Sequence, residues 1–234
     1  MSTVSKSFPE GAASSAFDPA LKRDLTGRPS GLAIWSQIAL GYGLLEAALW
    51  TPQGRLDLAW MILTAGFIFF MALHGPYSVR QMGLTSPSRA AIGWILVLGL
   101  ILATTVWLLA ALTGADSAPT HAMPLRTTWQ YVIWAFLQQF MLQSFFFLRL
   151  ETLLGSKRAV LATTVLFATA HLPNPILTVG SFFAGLFFCE MFRRYRNIFP
   201  LGLVHVILGL TMAASVSDAL LHHMRVGIGY LPFR

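Results

Sequence analysis

The stretch Phe136-Leu137-Gln138-Gln139-Phe140-Met141-Leu142-Gln143-Ser144 lies in the middle of a long apolar run. Gln139 is ten residues from Trp129 on one side and ten from Arg149 on the other. At about 1.5 Å per residue, that puts it about 15 Å from either end of a helical span. Within hydrocarbon, a chain segment must satisfy its own backbone polar groups, so the run reads as a membrane helix. Amides at that depth are costly without partners, and each becomes a candidate functional residue.

Composition extends this reading to the whole chain. Of 234 residues, 56% are hydrophobic and 11% charged, against about 25% charged in soluble domains, and the mean hydropathy is +0.65. Runs of about 20 apolar residues recur, whereas the alternating segments of a membrane barrel do not. The expected fold is an all-α polytopic membrane protein, a bundle of about seven or eight transmembrane helices. The spans are expected at about 31–50, 56–74, 90–112, 127–154, 159–172, 176–192 and 198–216. Residues 1–30 read as a polar cytoplasmic tail, 31–126 as N-terminal transmembrane helices and 127–216 as a core of helices. Residues 217–234 read as an interfacial or partly inserted eighth helix. The Arg149–Leu154 end of the long fourth span is expected to emerge from the bilayer.

The net charge of +7 does not point to nucleic acid, because the basic residues cluster in short segments between apolar runs. Alternate segments carry 12 and 4 Lys and Arg, which by the positive-inside rule puts the N-terminus in the cytoplasm. The expected location is a bacterial inner membrane. Cys189, the single cysteine, excludes an internal disulfide and sits in an apolar run as inert core. The polar N-terminus lacks an early hydrophobic region, so no cleaved signal peptide is expected.

Two histidines interrupt later apolar runs. His171 is 13 residues past Arg158, and His205 is nine past Arg196. Both therefore fall with Gln139 in a band about 7 Å deep near mid-membrane. Gln139 and Gln143 are one helical turn apart and share a face, with Gln138 beside them. A narrow amide stripe in a Phe, Leu and Met helix points into the bundle. Two readings stay open here: a shared site, or amides and imidazoles that only join helices by hydrogen bonds.

The spacing Gln138-Gln139-x-x-x-Gln143, then Phe167-Ala168-Thr169-Ala170-His171, then His205 with Gly209 four residues on, resembles the CPBP (CAAX protease and bacteriocin-processing) intramembrane endopeptidases. The resemblance covers about residues 127–213. Their motifs are Glu-Glu-x-x-x-Arg, Phe-x-x-x-His and His-x-x-x-Asn or a small residue. The resemblance implies hydrolysis of a peptide bond in a membrane-embedded peptide or protein, with the lipid bilayer as the medium. It implies His171 and His205 as polarising groups, Gln139 and Gln143 as residues orienting water or substrate, and Gln138, Phe167 and Gly209 as substrate contacts.

The departure lies at the centre of the motif. Gln138 and Gln139 replace both acids and Gln143 replaces the arginine, and an amide cannot serve as a general base. The replacement is concerted, so no buried charge is left unpaired, which would cost about 3–5 kcal/mol. Glu190 and Glu46 are the alternative acids; Glu151 reads as exposed at the boundary. No cofactor is expected, since two histidines without a carboxylate make an incomplete zinc set, and His222-His223 reads as an interfacial pair. Two functions remain: an endopeptidase with an altered centre, or a silent relative that binds a membrane peptide, lipid or partner helix.

Overall fold

A computed structural model describes residues 29–115 and 125–233. The polar tail expected over 1–30 and most of the loop before Leu125 lie outside the described residues. Among the described residues the structure is helical, with no strand. The helices are α1 (Gly31–Trp50), α2 (Arg55–Leu73), α3 (Arg89–Thr113), α4 (Leu125–Gln139), a π-helical segment (Phe140–Phe147), α5 (Leu148–Leu154), α6 (Ser156–Thr169), α7 (Pro175–Tyr195), α8 (Phe199–Ser215) and the single turn α9 (Asp218–Leu221).

Local chemistry sets their starts. The side chains of Ser30 and Ser88 accept from Ala33 N and Ala91 N to cap α1 and α3. Asn174 caps α7, with Pro175 in its first turn, where a missing N–H costs nothing.

α4, the π segment and α5 make one continuous helix, Thr128–Leu154. Five helices are long and apolar enough to cross a membrane: α1, α2, α3, this continuous helix and α7. A sixth joins them if α8 is taken with the segment after it, despite a 118° bend. α6, expected as a short span over about 159–172, has 14 residues, Ser156–Thr169, and is about 21 Å long, short of a hydrocarbon core of about 30 Å. Leu56, Ile62, Trp94, Ile101 and Leu112 face outward, as they would towards lipid.

α8 is the hub, packed between α3 and α4, while α6 pairs with α7 and α1 with α2. Glycines permit the close approach. A Cβ on Gly202 would stand 2.5 Å from the Phe136 ring of α4, and one on Gly99 of α3 would stand 2.5 Å from Val204. α7 and α8 touch each other sparsely and splay apart around a cavity.

Near the end of the fourth span, Arg149 is packed inside the protein, 1% exposed. Its Nε donates to Gln37 Oε1 at 2.8 Å, Nη1 to Phe145 O at 3.2 Å and Nη2 to Met71 O at 3.0 Å. The guanidinium lies 3.9 Å from the centre of the Phe145 ring. Fixed donors and a delocalised charge let arginine tie α1 and α2 to the core where no carboxylate is at hand. Glu151, expected to be exposed, is partly buried and accepts from Ser156 and Arg196.

Candidate functional site

The amide stripe divides at the start of the π segment. Gln139 and Gln143 are fully buried. Gln143 Nε2 donates to Gln139 Oε1 at 3.5 Å, and Gln139 Nε2 donates to His205 Nδ1 at 3.1 Å. The Gln143 amide also reaches Cys189 Sγ at 3.8 Å, and its Oε1 has no partner. Gln138, one residue earlier, faces the cavity instead.

These bonds assign the ring protons. An amide nitrogen only donates, so His205 Nδ1 is the acceptor, the ring is neutral and its proton is on Nε2. His171 Nδ1 lies 2.7 Å from Phe167 O. A carbonyl only accepts, so Nδ1 carries a proton, and in the neutral ring Nε2 is left as an acceptor. Phe167 meets both imidazoles edge-on, at 4.8 Å from His171 and 5.9 Å from His205. Phe188 closes the other side of His205 at 5.2 Å.

His171, His205, Gln138, Phe167 and Gly209 all line one cavity of about 1080 Å³. Gln139 and Gln143 do not; they reach it only through His205. Among the described lining residues none is Asp, Glu, Lys or Arg. Most of the hydroxyls in the wall are already engaged: Tyr42 with Thr169, Thr105 with Ile101 O, and Thr113 with Leu109 O. The alternative acids are occupied elsewhere. Glu46 accepts from Trp50 Nε1 at 2.9 Å, and Glu190 is held by Arg193 and Arg194 at 2.6–2.7 Å.

Tyr131 is a site residue that motif reading missed. Its ring lies edge-on to His205 at 6.5 Å, and its hydroxyl occupies the space a side chain at Gly209 would need. The small residue four positions after His205 is therefore a socket for an aromatic group from α4. The signal was present, since Tyr131 and Gln138 are seven residues apart and share a helix face.

The C-terminal segment closes one end of the cavity as a strap, where an interfacial helix was expected. Asn174 Nδ2 donates to Leu221 O at 2.9 Å and to Arg225 O at 3.1 Å. Ser217 N bonds Ala115 O and Gly227 N bonds Leu172 O. His222, His223 and Met224 adopt left-handed φ of 50°, 54° and 58°, a conformation non-glycine residues rarely hold without external support. That turn sets Met224 and Val226 on the cavity wall. His222 stacks on Tyr230 and His223 lies 3.1 Å from Asp218.

Among the described residues no three His, Cys, Asp or Glu side chains group to hold a metal ion.

Residues 120–211 match the family model described as Type II CAAX prenyl endopeptidase Rce1-like. No curated protein and no solved structure matches the chain. The match spans about two fifths of the sequence, and with the helical architecture around it the chain is consistent with membership of the CPBP family, a CAAX protease-type integral membrane protein.

Proposed function

We propose that the protein is a non-proteolytic member of this type that holds an apolar membrane-embedded ligand in the cavity beneath its strap. The observation that carries the reading is the absence of Asp, Glu, Lys and Arg among the described residues lining the cavity. Hydrolysis in the family manner needs a carboxylate within about 3 Å of a water; the Gln139 amide cannot take its proton and is already bonded to His205. An apolar wall with a few convergent polar groups is instead the ordinary form of a binding site. In this reading the N-terminus and the Arg-rich loops face the cytoplasm of a bacterial cell, supported by the alternation of Lys and Arg along the chain. The strap then caps the cavity from the opposite side.

A second reading is favoured by the polarity of the two imidazoles. His171 Nε2 would take a proton from water as the water oxygen attacks a peptide carbonyl. The His205 Nε2–H would donate to the developing oxyanion, and the proton would pass from His171 to the leaving amine as the C–N bond breaks.

The two readings separate in a reconstituted assay. Wild type, Gln139→Glu and His171→Ala are presented with an internally quenched transmembrane peptide and, in parallel, with a diazirine-bearing alkyl photoprobe. Binding without proteolysis predicts no cleavage by wild type and probe attachment on the cavity walls of α7 and α8. Cleavage by wild type that is lost in His171→Ala overturns it in favour of hydrolysis.

A further inference from the structure

We infer that the ligand is an uncharged long-chain lipid bearing a hydroxyl group, its oxygen held between His171 Nε2 and His205 Nε2 with Gln138 alongside. This rests on the binding reading above and names the class of ligand.

Three features of the cavity lead there. The first is charge. An ionised head among these residues would find no opposite charge, and burying an unpaired ion costs several kcal/mol or the loss of its charge. A phosphate, a free carboxylate or an amine is therefore excluded from the buried end.

The second is the pairing of donor and acceptor. Both rings line the cavity, and with their Nδ1 atoms committed to Gln139 and Phe167 the nitrogens left are an N–H on His205 and a lone pair on neutral His171. A hydroxyl both donates and accepts, so it complements the two rings together. Gln138 and Tyr131, which have no other hydrogen-bond partner among the described residues, add an amide and a phenol to the same wall.

The third is the shape of the remainder. The wall runs from Leu102 to Thr113 on α3, about 16 Å along the helix, and from His205 to Met212 on α8, about 10 Å. An extended peptide as long as the α3 wall has about five residues, each bringing an N–H and a C=O that need partners. The free polar groups of the wall are too few for so many. A hydrocarbon chain makes no such demand. Leu109, Val179 and Phe183 both line the cavity and are exposed on the outside of the bundle, so the cavity opens sideways towards the acyl chains of the bilayer.

The test uses the full-length protein in phosphatidylcholine nanodiscs. A diazirine-bearing long-chain alcohol is compared with the matching carboxylic acid and amine at mildly alkaline pH, and labelled positions are mapped by mass spectrometry. The expected result is labelling of residues 179–183 and 208–212 by the alcohol, competed by oleyl alcohol. Labelling by the acid and the amine should be at least about tenfold weaker. His171→Leu or His205→Leu should lower alcohol labelling about fivefold to tenfold, the worth of roughly one hydrogen bond. Gln138→Leu, which disturbs no buried bond, provides the second variant should the histidine variants not fold, and a loss of about threefold or more is expected there. Equal labelling by acid or amine, or displacement of the alcohol by a transmembrane peptide, overturns the lipid assignment and leaves the binding reading standing. If no probe, alcohol, acid, amine or peptide, labels those walls, both fail.

Discussion

Substituting Gly209 by alanine tests the packing on which the cavity depends. The new Cβ would lie 1.6 Å from Tyr131 Oη, 2.4 Å from Cζ and 2.8 Å from Cε1. Carbon contacts settle at about 3.5–4.0 Å, so the phenol must retreat by about 2 Å. α8 cannot move away instead. On its other side Val204 already sits where a Cβ on Gly99 of α3 would be, so retreat from α4 drives α8 into α3. Tyr131 must therefore turn into the cavity, giving up its edge contact with His205. Overpacking of this kind costs about 1–3 kcal/mol, and alanine returns roughly 0.5–1 kcal/mol through its better helix propensity. A net loss of about 0.5–2 kcal/mol is expected for Gly209→Ala. The clash is removed in Gly209→Ala/Tyr131→Ala, so a double-mutant cycle by equilibrium unfolding in mixed micelles should give a coupling of about 1–3 kcal/mol. A coupling below about 0.5 kcal/mol would refute the socket.

Asn174→Ala removes the α7 cap and both donors to the strap. It is expected to cost roughly 2–4 kcal/mol and to raise amide hydrogen exchange over residues 217–231 well above any change elsewhere; a uniform rise across the chain would count against the strap being held from this residue. Arg149→Lys keeps the charge, but one ammonium cannot reach Gln37, Phe145 and Met71 together, so a loss of roughly 1–3 kcal/mol is expected, and stability equal to wild type in the same micelle assay would contradict the three-way clamp.

Much of the architecture is legible along the chain because the bilayer imposes it. Apolar runs the length of a span locate the helices with little help from tertiary packing. Gln139, His171 and His205 stand out for a related reason: polar side chains at membrane depth are rare, and depth can be counted in residues. The bounds of α6 were harder than its short length, because its apolar run continues past the helix through Ala170-His171-Leu172, where the backbone has already turned.

Other features have no trace in a one-dimensional pattern. The partners of Arg149 are drawn from two other helices and the turn below: Gln37, Phe145 and Met71 supply its acceptors. The C-terminal residues read as an interfacial helix because their contacts with Asn174, Leu172 and Leu49 are distant in sequence. The division of the glutamine stripe, with Gln138 in the cavity and Gln139 and Gln143 behind His205, depends on where the helix widens into a π segment and which neighbour stands on each side.

By itself the sequence determined that this is an all-helical chain with membrane-length apolar runs interrupted by a few polar groups, because hydrophobic length and the cost of burying amides act residue by residue. Only the tertiary structure decided which ring nitrogens are already bonded, which acids are tied up elsewhere and that the described wall carries no Asp, Glu, Lys or Arg. Those properties belong to juxtaposed side chains, and juxtaposition arises only when the helices pack.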